Sequence, residues 1–590
     1  MKRAEARWED TWALEDLYET EARFLEEEEQ LKKEIRDFTK YQGRLTEGAG
    51  ILFEALEAYG RMNLRFERVY VYANQSMHQD MGNSHYQEMA LETQNLMNGL
   101  NQAVSFLEPE ILRISQPVLD GYYREEAGLE KYRRFLDEIL RRKPHTLSAE
   151  MEALMARVGE LGQAPSNIFA MFHNADITFS TIQDENGKEA KLTQGSYIRF
   201  LESKSRRVRR DAFTSLYQGY ANFQNTLAAV YEANTRQAAF FARERSYGSA
   251  LEAALDDGNI PVSVYENLIE AVNRHLDLLH RYMEIRKKRM GLEELHMYDL
   301  YTPMVPSPDK VISFEQAKRM VREGLAPLGE DYQALLQEGY DSRWIDVYEN
   351  EGKRTGAYSW GAYGTHPYVL LNYQGNLNSV FTLAHEMGHA LHSYYSDHTQ
   401  EYLYAGYRIF VAEVASTCNE ALLIHHLLEN ASSEEERLYL VNYFLEQFRT
   451  TLYRQTMFAE FEKITHQRAA EGQPLTADVL CEIYADLNRK YFGAGVVMDQ
   501  QIRYEWERIP HFYTPFYVYQ YATGFSAAIA ISSKILRGEP GMVEKYKRFL
   551  SGGSSMDPID LLKICGVDMT TPQPVEEALQ VFAKYLEEMK

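Results

Sequence analysis

Apolar residues at helical spacing dominate this sequence, and few residues interrupt them. Only 17 prolines and 35 glycines occur among 590 residues, which is fewer than average usage would give. Between residues 20 and 42, Phe24, Leu31 and Phe38 recur every two helical turns amid Glu and Lys, and residues 86–114 show the same periodicity. The sequence therefore predicts a mainly α-helical protein.

One β-hairpin is predicted inside this helical pattern. Ile177, Phe179 and Thr181 alternate with polar neighbours, and Asn186-Gly187 then supplies a turn that accommodates positive φ. We therefore expect a hairpin near residues 177–192, after which the helical pattern resumes.

A small β-sheet is predicted in the second half of the chain. Short strand-like runs lie at 344–348, 356–360 and 367–372. Asn378 is the predicted N-cap of the helix that follows them, and the pattern then stays helical almost to the C-terminus. The sheet should therefore lie beside that helix.

A break between helices is predicted at residues 298–310. Thr302-Pro303, Val305-Pro306 and Ser307-Pro308 oppose helix formation there, because proline lacks the backbone N–H and restricts the residue before it. We expect one further helix between this break and the sheet.

Charge and cysteine content narrow the partners and the compartment. Lys and Arg number 63 against 87 Asp and Glu, a formal net charge of −24. Such a chain should repel nucleic acid and anionic membranes, so we expect neither as a partner. Cys418, Cys481 and Cys565 form no Cys-x-x-Cys pair, and the charged start Met1-Lys2-Arg3 predicts no secretory signal. We therefore expect a reducing compartment, the cytoplasm.

The segment His385-Glu386-Met387-Gly388-His389 carries the most specific chemical pattern. Histidines four residues apart project from one face of a helix and can bind one tetrahedral zinc at about 2.0–2.1 Å. Glu386 would stand beside the metal, where it can hold a water and take its proton. Gly388 is a poor helix former, but it would let another element approach the metal closely. Two buried histidines without a metal are the alternative.

A catalytic zinc site needs a third protein ligand and one open position. Four glutamates downstream could supply it: Glu401, Glu413, Glu420 and Glu429. Glu413 stands in the apolar run 409–416, where an isolated carboxylate is costly unless it is paired or metal-bound, so we predict it as the ligand. Glu420 falls on the same helical face and should accept a hydrogen bond from a ligand histidine, although a surface role stays open.

Residues 508–524 form a second unusual cluster. Four tyrosines and one histidine fall within eleven residues of it, and each buried hydroxyl needs a hydrogen-bond partner. Phenol and imidazole donors can stabilise the oxyanion formed during amide hydrolysis. Tyrosine-rich packing alone is the alternative interpretation.

Together these motifs resemble the thimet oligopeptidase superfamily, and above all its bacterial branch, oligoendopeptidase F. The resemblance is dense from Ser342 to Ser526 and looser towards the N-terminus. The segments that carry it are 356–360, 366–373, 385–392, 410–416 and 511–524.

The resemblance implies two mostly helical halves that enclose a deep substrate channel with one Zn²⁺ on its floor. It assigns His385, His389 and Glu413 as ligands and Glu386 as the base. It also implies that His511 and a tyrosine act as donors to the transition state. Tyr513, Tyr517 and Tyr519 remain open for that role, with Tyr519 preferred.

The resemblance also bears on substrate binding and on domain division. The strand around Tyr358 should pair with an extended peptide, and we expect substrate contacts at Tyr358, Ser359, Gly361 and His366. We divide the chain into an N-terminal helical domain with the hairpin and a zinc peptidase region. These are residues 1–195 and 196–590, the latter with the sheet (342–373), the metal site (385–420) and the His/Tyr loop (508–524).

The sequence thus predicts a zinc endopeptidase that acts on internal bonds of short oligopeptides, with no oligomer required. Zinc would lower the pKa of its bound water from about 15.7 toward roughly 7, and Glu386 would accept the proton. A hydrolase of a non-peptide amide or ester and a non-catalytic peptide-binding helical scaffold are the alternatives. Glu386 argues against the scaffold, because a binder needs no base beside a metal.

Overall fold

Helices make up most of the chain, as the apolar periodicity predicts. The computed structural model describes residues 1–306 and 310–590. The α-helices of the described chain are α1 (Glu21–Phe38), α2 (Ala49–Gln79), α3 (Ser84–Val104), α4 (Leu107–Ile111), α5 (Gln116–Glu125), α6 (Arg133–Arg141), α7 (Ala149–Gly162), α8 (Ala164–Met171), α9 (Gln194–Leu201), α10 (Arg206–Ala221), α11 (Gln224–Glu244), α12 (Ala250–Asp256), α13 (Val262–Arg274), α14 (Leu276–Arg289), α15 (Phe314–Gly324), α16 (Glu330–Asp341), α17 (Leu377–Thr399), α18 (Tyr402–Ala405), α19 (Ile409–Glu429), α20 (Glu434–Gln447), α21 (Arg454–Ala470), α22 (Ala477–Phe492), α23 (Tyr519–Leu536), α24 (Met542–Leu550), α25 (Pro558–Ile564) and α26 (Gln573–Glu588).

The strands are short and form three small sheets in the described chain. They are β1 (Ile182–Gln183), β2 (Glu189–Ala190), β3 (Leu295–His296), β4 (Ile345–Asp346), β5 (Tyr358–Trp360), β6 (Tyr368–Leu370) and β7 (Val496–Val497). β1 pairs antiparallel with β2, and β3 pairs parallel with β7. The third sheet has the order β4-β6-β5, parallel between β4 and β6 and antiparallel between β6 and β5. The mainly α fold with a small sheet and a hairpin is therefore confirmed.

The hairpin is shorter than the alternating pattern predicts. Only Ile182–Gln183 and Glu189–Ala190 pair, around a turn in which Gly187 has a φ of 78°. Phe179 lies instead against α10, where a Cβ added at Gly219 would meet its ring at 2.7 Å. The alternating segment before β1 therefore packs on a helix rather than in a ladder.

Three other local predictions have different outcomes. One helix is predicted between the break and the three-stranded sheet, whereas the structure has two, α15 and α16. The predicted break is confirmed from Leu300 to Pro306, which contains no helix, whereas Ser307–Asp309 lie outside the described residues. The N-cap of the helix after the sheet is Asn376, not Asn378, because the Asn376 side chain accepts a hydrogen bond from Ser379 N at 2.9 Å. Among the described residues, no helix combines the length and apolarity needed to cross a lipid bilayer.

The described chain divides into two units, each assembled from three segments. The first contains Met1–Thr146, Lys310–His426 and Ile531–Gly566, and the second contains Leu147–Asp309, Leu427–Ala530 and Val567–Lys590. The predicted division at residue 195 follows the order of the sequence, whereas each of these units combines distant segments. The predicted division therefore stays a prediction.

In the first unit, the three-stranded sheet packs against the N-terminal helices. Trp12 Nε1 donates to Val369 O at 2.8 Å, and Tyr368 OH donates to Ala13 O at 3.0 Å. Tyr368 and Leu370 of β6 belong to the same apolar core as the buried faces of α1, α2 and α3. This packing fixes the sheet beside α17, which contacts β5 and β6.

In the second unit, buried ion pairs accompany the apolar core. The carboxylate of Asp299 is fully buried. Its Oδ1 lies 2.8 Å from Arg209 Nη2, and its Oδ2 lies 2.9 Å from Arg206 Nη2. Glu505 likewise forms an ion pair with Arg454, with 2.7 Å between Glu505 Oε1 and Arg454 Nη2. Each carboxylate is paired, as the cost of burying a charge requires.

Candidate metal centre

Helix α17 presents His385 and His389 on one face, as their spacing predicts. The opposite face is apolar and buried; its residues include Val380, Leu383, Ala384, Met387 and Leu391. The two imidazole rings are 4.9 Å apart and nearly perpendicular, at 82°. The helix thus holds two ring nitrogens close together on its polar side.

Helix α19 brings Glu413 to the same point. Glu413 Oε2 lies 3.3 Å from His385 Nε2 and 3.5 Å from His389 Nε2. One ligand atom from each residue lies within 4.8 Å of the other two. Ser416 Oγ donates to Glu413 Oε2 at 3.0 Å and thereby orients the carboxylate. The structure therefore brings together the three residues predicted as ligands.

The close approach of α19 depends on Gly388. A Cβ added at this position would lie 2.6 Å from Ser416 Cα and 2.8 Å from Ala415 O. Any side chain there would push the backbone of α19 away from the two histidines. The predicted role of this glycine, to admit another element near the metal site, agrees with this geometry.

A buried asparagine fastens the same two helices one turn further along. Asn419 Nδ2 donates to Ala384 O at 3.1 Å, and Tyr332 OH donates to Asn419 Oδ1 at 3.0 Å. Ala384 immediately precedes His385, so this contact sets the position of the first histidine relative to α19.

Glu420 contacts the other nitrogen of His385. Its Oε2 lies 3.5 Å from His385 Nδ1, which agrees with the predicted contact to a ligand histidine. Burial by itself would lower the pKa of His385, but the charge of Glu420 and hydrogen bonds with Glu413 and Glu420 raise it well above its ordinary value. The two carboxylates therefore create a site that favours a cation.

Glu386 lies beside this group with an unused oxygen. The residue is 6% exposed, and its Oε2 has no hydrogen-bond partner among the residues that the structure describes. Burial raises the pKa of Glu386, and this effect outweighs the attraction of the two neighbouring imidazoles. A buried carboxyl with a free oxygen is suited to hold and deprotonate a water.

The remaining two glutamates among the candidates for the third ligand lie elsewhere. Glu401 is exposed at the start of α18, and Glu429 is exposed at the end of α19, about 24 Å along the helix from Glu413. His392 is buried and stacks on Tyr407 at 3.7 Å, and burial lowers its pKa to about 3.

The donor set therefore fits zinc. Two imidazole nitrogens and one carboxylate oxygen form the ligand set of many catalytic zinc sites, which leave one position open. Glu413 and Glu420 supply negative charge, and the unused oxygen of Glu386 is where a bound water would need an acceptor.

The predicted substrate strand lies at the edge of its sheet. Val369 N donates to Trp344 O, on the β4 side, at 2.7 Å. By antiparallel alternation, the backbone of its partner Ser359 then faces the outer edge of β5. Within the described residues, no strand pairs with that edge.

The side chains of Tyr358 and His366 make contacts inside the first unit. Tyr358 OH donates to Gln75 Oε1 at 2.6 Å and contacts His78 Nδ1 at 2.7 Å. The His366 ring is parallel to Trp344, and its Nε2 lies 3.1 Å from Asp16. Their predicted substrate contacts, with those of Ser359 and Gly361, stay predictions.

A groove lies between the small sheet and the start of α17. It has a volume of about 280 Å³ and is lined by the residues just before β5, the residues just after β6 and the first turns of α17. Asn372, Gln374 and Thr382 contribute polar groups to it. Thr382 lies one turn before Glu386, so the groove ends close to the candidate base.

The His/Tyr cluster belongs to the second unit. His511 Nε2 lies 3.2 Å from Tyr521 OH, and the His511 and Tyr517 rings are almost parallel at 6.1 Å. Tyr513 stacks on Phe169 of α8 at 4.1 Å. Tyr519, the preferred tyrosine, is 3% exposed and packs against Tyr265.

The sequence interpretation therefore missed one contact in this cluster, that of Tyr521 with His511. The only sequence signal is that Tyr517 and Tyr521 lie four residues apart, the spacing of neighbours on one helical face. The catalytic roles of His511, Tyr513, Tyr517 and Tyr519 stay predictions.

Comparison with known proteins identifies related sequences over the whole chain. The sequence model described as Peptidase family M3 matches residues 199–581, and the one described as Oligopeptidase F matches residues 110–179. The oligopeptidase PepF of Bacillus subtilis (strain 168) is 48% identical over 588 residues, covering 100% of this chain and 88% of that protein. The group B oligopeptidase PepB of Streptococcus agalactiae serotype III (strain NEM316) is 39% identical, covering 98% of this chain and 96% of that protein.

Solved structures share the fold. A crystal structure from Chlamydophila abortus matches with a TM-score of 0.92 at 32% identity, over 100% of this chain and 99% of that one. Oligoendopeptidase-F from Enterococcus faecium matches with a TM-score of 0.76 at 40% identity, over 96% of this chain and 98% of that one. These matches, together with the His-His-Glu group on α17 and α19, show that this chain belongs to peptidase family M3.

Proposed function

We propose that this chain is a zinc-dependent endopeptidase that hydrolyses internal peptide bonds of short oligopeptides. One observation carries the proposal: His385, His389 and Glu413 converge beside the buried carboxyl of Glu386. The related proteins are named oligopeptidases and oligoendopeptidase-F, which supports a peptide substrate and cleavage within the peptide.

In this proposal His385, His389 and Glu413 hold the zinc ion. Glu420 accepts the Nδ1–H of His385, which leaves the Nε2 lone pair directed at the ligand point. When bound, zinc supplies Lewis-acid polarisation of the scissile carbonyl and lowers the pKa of a coordinated water. The chain itself supplies the orientation of both imidazoles and the proton acceptor.

Glu386 is the proposed general base. Its Oε2 is free to accept a proton from the attacking water, and burial raises its pKa, so it holds that proton better than a solvated carboxylate does. The same oxygen then gives the proton to the amine that leaves.

His511 and a tyrosine are the proposed donors to the oxyanion. The contact between His511 Nε2 and Tyr521 OH makes Tyr521 the tyrosine we favour, and Tyr517 stacks on the same imidazole. Burial lowers the pKa of His511, so the ring is neutral near pH 7 and can donate from one nitrogen.

The outer edge of β5 is the proposed docking edge for the peptide backbone. The outward-facing backbone of Ser359 offers one N–H and one C=O, which an extended peptide can pair with by strand addition. The groove that reaches Thr382 would accept the adjoining side chain.

We also propose that the protein acts in the cytoplasm. Cys418, Cys481 and Cys565 are free and buried. Burial raises the pKa of Cys418 and Cys565 to about 12 and that of Cys481 to about 11, which keeps them protonated. Fractionation of producing cells should find the activity with cytoplasmic markers; activity confined to the medium would contradict this.

The Glu386→Gln variant tests the enzymatic proposal. Glutamine keeps the shape but cannot accept the proton, so kcat on quenched-fluorescent peptides should fall by about 10²–10⁴-fold, with zinc content unchanged. A length series from dipeptides to an unfolded protein should show internal cleavage of short peptides only. A fully active variant would remove the base role, and hydrolysis of simple esters but of no peptide would favour a different hydrolase.

A further inference from the structure

One residue in the His/Tyr loop has an unusual backbone conformation. Phe516 has a φ of 60°, in the left-handed region that bulky side chains rarely occupy. It lies between His511 and Tyr517, so its conformation sets the direction in which the chain carries the tyrosines relative to the histidine. A residue held in this way requires compensation from its surroundings.

Two buried polar side chains tie down the ends of the segment Phe512–Phe516. Asn234 Nδ2 of α11 donates to Phe512 O at 3.1 Å. At the other end, Phe516 N donates to Glu462 Oε1 of α21 at 2.8 Å. Glu462 is fully buried.

Helix α21 also packs against the Phe516 side chain. Its ring lies 4.5 Å from that of His466, one helical turn after Glu462, and 5.8 Å from that of Tyr265. Tyr265 in turn packs against Tyr519 at the start of α23. The left-handed residue is therefore held by one hydrogen bond and by ring packing.

We propose that Glu462 is a positioning residue of the peptidase. It acts by holding Phe516 in the left-handed conformation, which directs Tyr517 and Tyr521 towards His511. This inference rests on the proposed role of His511 and Tyr521 as oxyanion donors.

The protonation of Glu462 agrees with this role and selects the control variant. Burial raises its pKa to about 8, so the group is mostly a neutral acid near pH 7. Its Oε2 has no hydrogen-bond partner in the part of the chain that the structure describes. Glutamine offers the same neutral acceptor at Oε1, whereas leucine fills the space without one.

The first experiment compares Glu462→Gln with Glu462→Leu on a quenched-fluorescent peptide. We expect the glutamine variant to keep kcat within about twofold of the unchanged protein. The leucine variant should lose about 10²-fold in kcat, as when an oxyanion donor is removed, with KM within about twofold and zinc content unchanged. Equal losses in both variants, or a loss confined to KM, would overturn the proposal.

The second experiment tests the backbone conformation directly. Glycine adopts positive φ readily, whereas alanine does not, and both remove the phenyl ring. In the Glu462→Leu background, Phe516→Gly should recover kcat and Phe516→Ala should not. If the leucine variant fails to fold, Phe516→Gly and Phe516→Ala are compared in the protein that retains Glu462. There the glycine variant should have a higher kcat than the alanine variant. Equal values would overturn the proposal in either background.

A crystal structure of the Glu462→Leu variant separates the two proposals. If the variant loses both the positive φ at Phe516 and the His511–Tyr521 contact, the positioning role is supported. Retention of both overturns it. The contact could be lost while kcat stays unchanged. In that case kcat should also stay unchanged in His511→Ala. The donor role of His511 would then fail, while the structural role of Glu462 in holding Phe516 would stand.

Discussion

Glu413 and Glu420 lie seven residues apart on α19 and contact opposite nitrogens of one imidazole. Glu413 approaches Nε2 of His385, and Glu420 approaches Nδ1. Their different positions imply different energetic roles. Glu413 can donate a lone pair to a metal, whereas Glu420 can only orient the imidazole ring of His385, which itself binds the metal.

Replacing these carboxylates one at a time should separate the two roles. Glu420→Ala should weaken zinc binding by about 10–100-fold, as loss of an outer hydrogen-bond partner does. Glu413→Ala should weaken it by more than about 100-fold, because a ligand is lost. Zinc content after dialysis against a competing chelator measures both.

Glu429→Ala is the matched control, because Glu429 is an exposed glutamate on the same helix. It should bind zinc like the unchanged protein. Stoichiometric zinc in Glu413→Ala would show that another residue completes the site.

Glu507 should make stability depend on pH. It is 1% exposed, neither of its carboxyl oxygens has a partner among the described residues, and burial raises its pKa from 4.5 to about 8. Between these two values the unfolded chain releases the proton while the folded chain keeps it. Rising pH therefore favours unfolding across this window, by up to about 1.4 kcal/mol for each unit of pKa difference.

Glu507→Gln should remove that dependence. The variant cannot ionise, so its Tm relative to the unchanged protein should be higher at pH 8 than at pH 5. Thermal unfolding at both pH values measures it, with the exposed Glu471→Gln as the control. A Tm difference that does not change with pH would contradict the assignment.

At the scale of elements, the pair α17 and α19 builds the candidate metal centre. Two features fix their contact: the bare backbone at Gly388 and the buried hydrogen bond from Asn419 to Ala384 O. The site is therefore a property of the helix pair rather than of either helix.

Gly388→Ala should damage this pair although alanine is the better helix former. The added Cβ would lie 2.6 Å from Ser416 Cα, so the helices must separate, at a cost of about 1–3 kcal/mol. We expect a lower Tm together with weaker zinc binding.

Gly60→Ala in α2 provides the comparison, because nothing lies within 4 Å of a Cβ added there. That variant should gain about 0.5–1 kcal/mol from reduced backbone entropy. A tolerated Gly388→Ala would mean that the close contact is not needed.

At the scale of the whole molecule, all three proposed ligands belong to the first unit. Its segment Lys310–His426 contains both α17 and Glu413 of α19. A ligand that binds only the folded state stabilises it by mass action, by about 4 kcal/mol at 1,000 times its Kd. Zinc should therefore stabilise the fold as well as supply chemistry.

Removal of the metal tests whether zinc stabilises the folded protein. Treatment with 1,10-phenanthroline should abolish peptide cleavage and lower the apparent Tm, and added zinc should restore both. The Glu413→Ala variant should show little change in Tm on the same treatment. An equal drop in the two proteins would place the stabilising metal elsewhere.

Much of this protein could be predicted from its sequence because the relevant geometry is local. The helical periodicity, the three strand segments and the pairing of His385 with His389 depend on residues a few positions apart. Backbone hydrogen bonds of a helix place residues i and i+4 on one face whatever surrounds them. The identification of Glu413 used a further local fact, a carboxylate within an apolar run.

Tertiary structure alone decided the contacts between distant elements. The sequence predicts Glu413 as the third ligand, but only the packing of α19 against Gly388 brings its carboxylate to the two histidines. The preference for Tyr519 as the oxyanion donor stays a prediction, and only the structure shows that Tyr521 contacts His511. That contact follows a left-handed turn at Phe516, which Glu462 holds from 54 residues away. Spacing along the chain cannot encode such a contact, because it depends on how side chains of separate helices fill shared space.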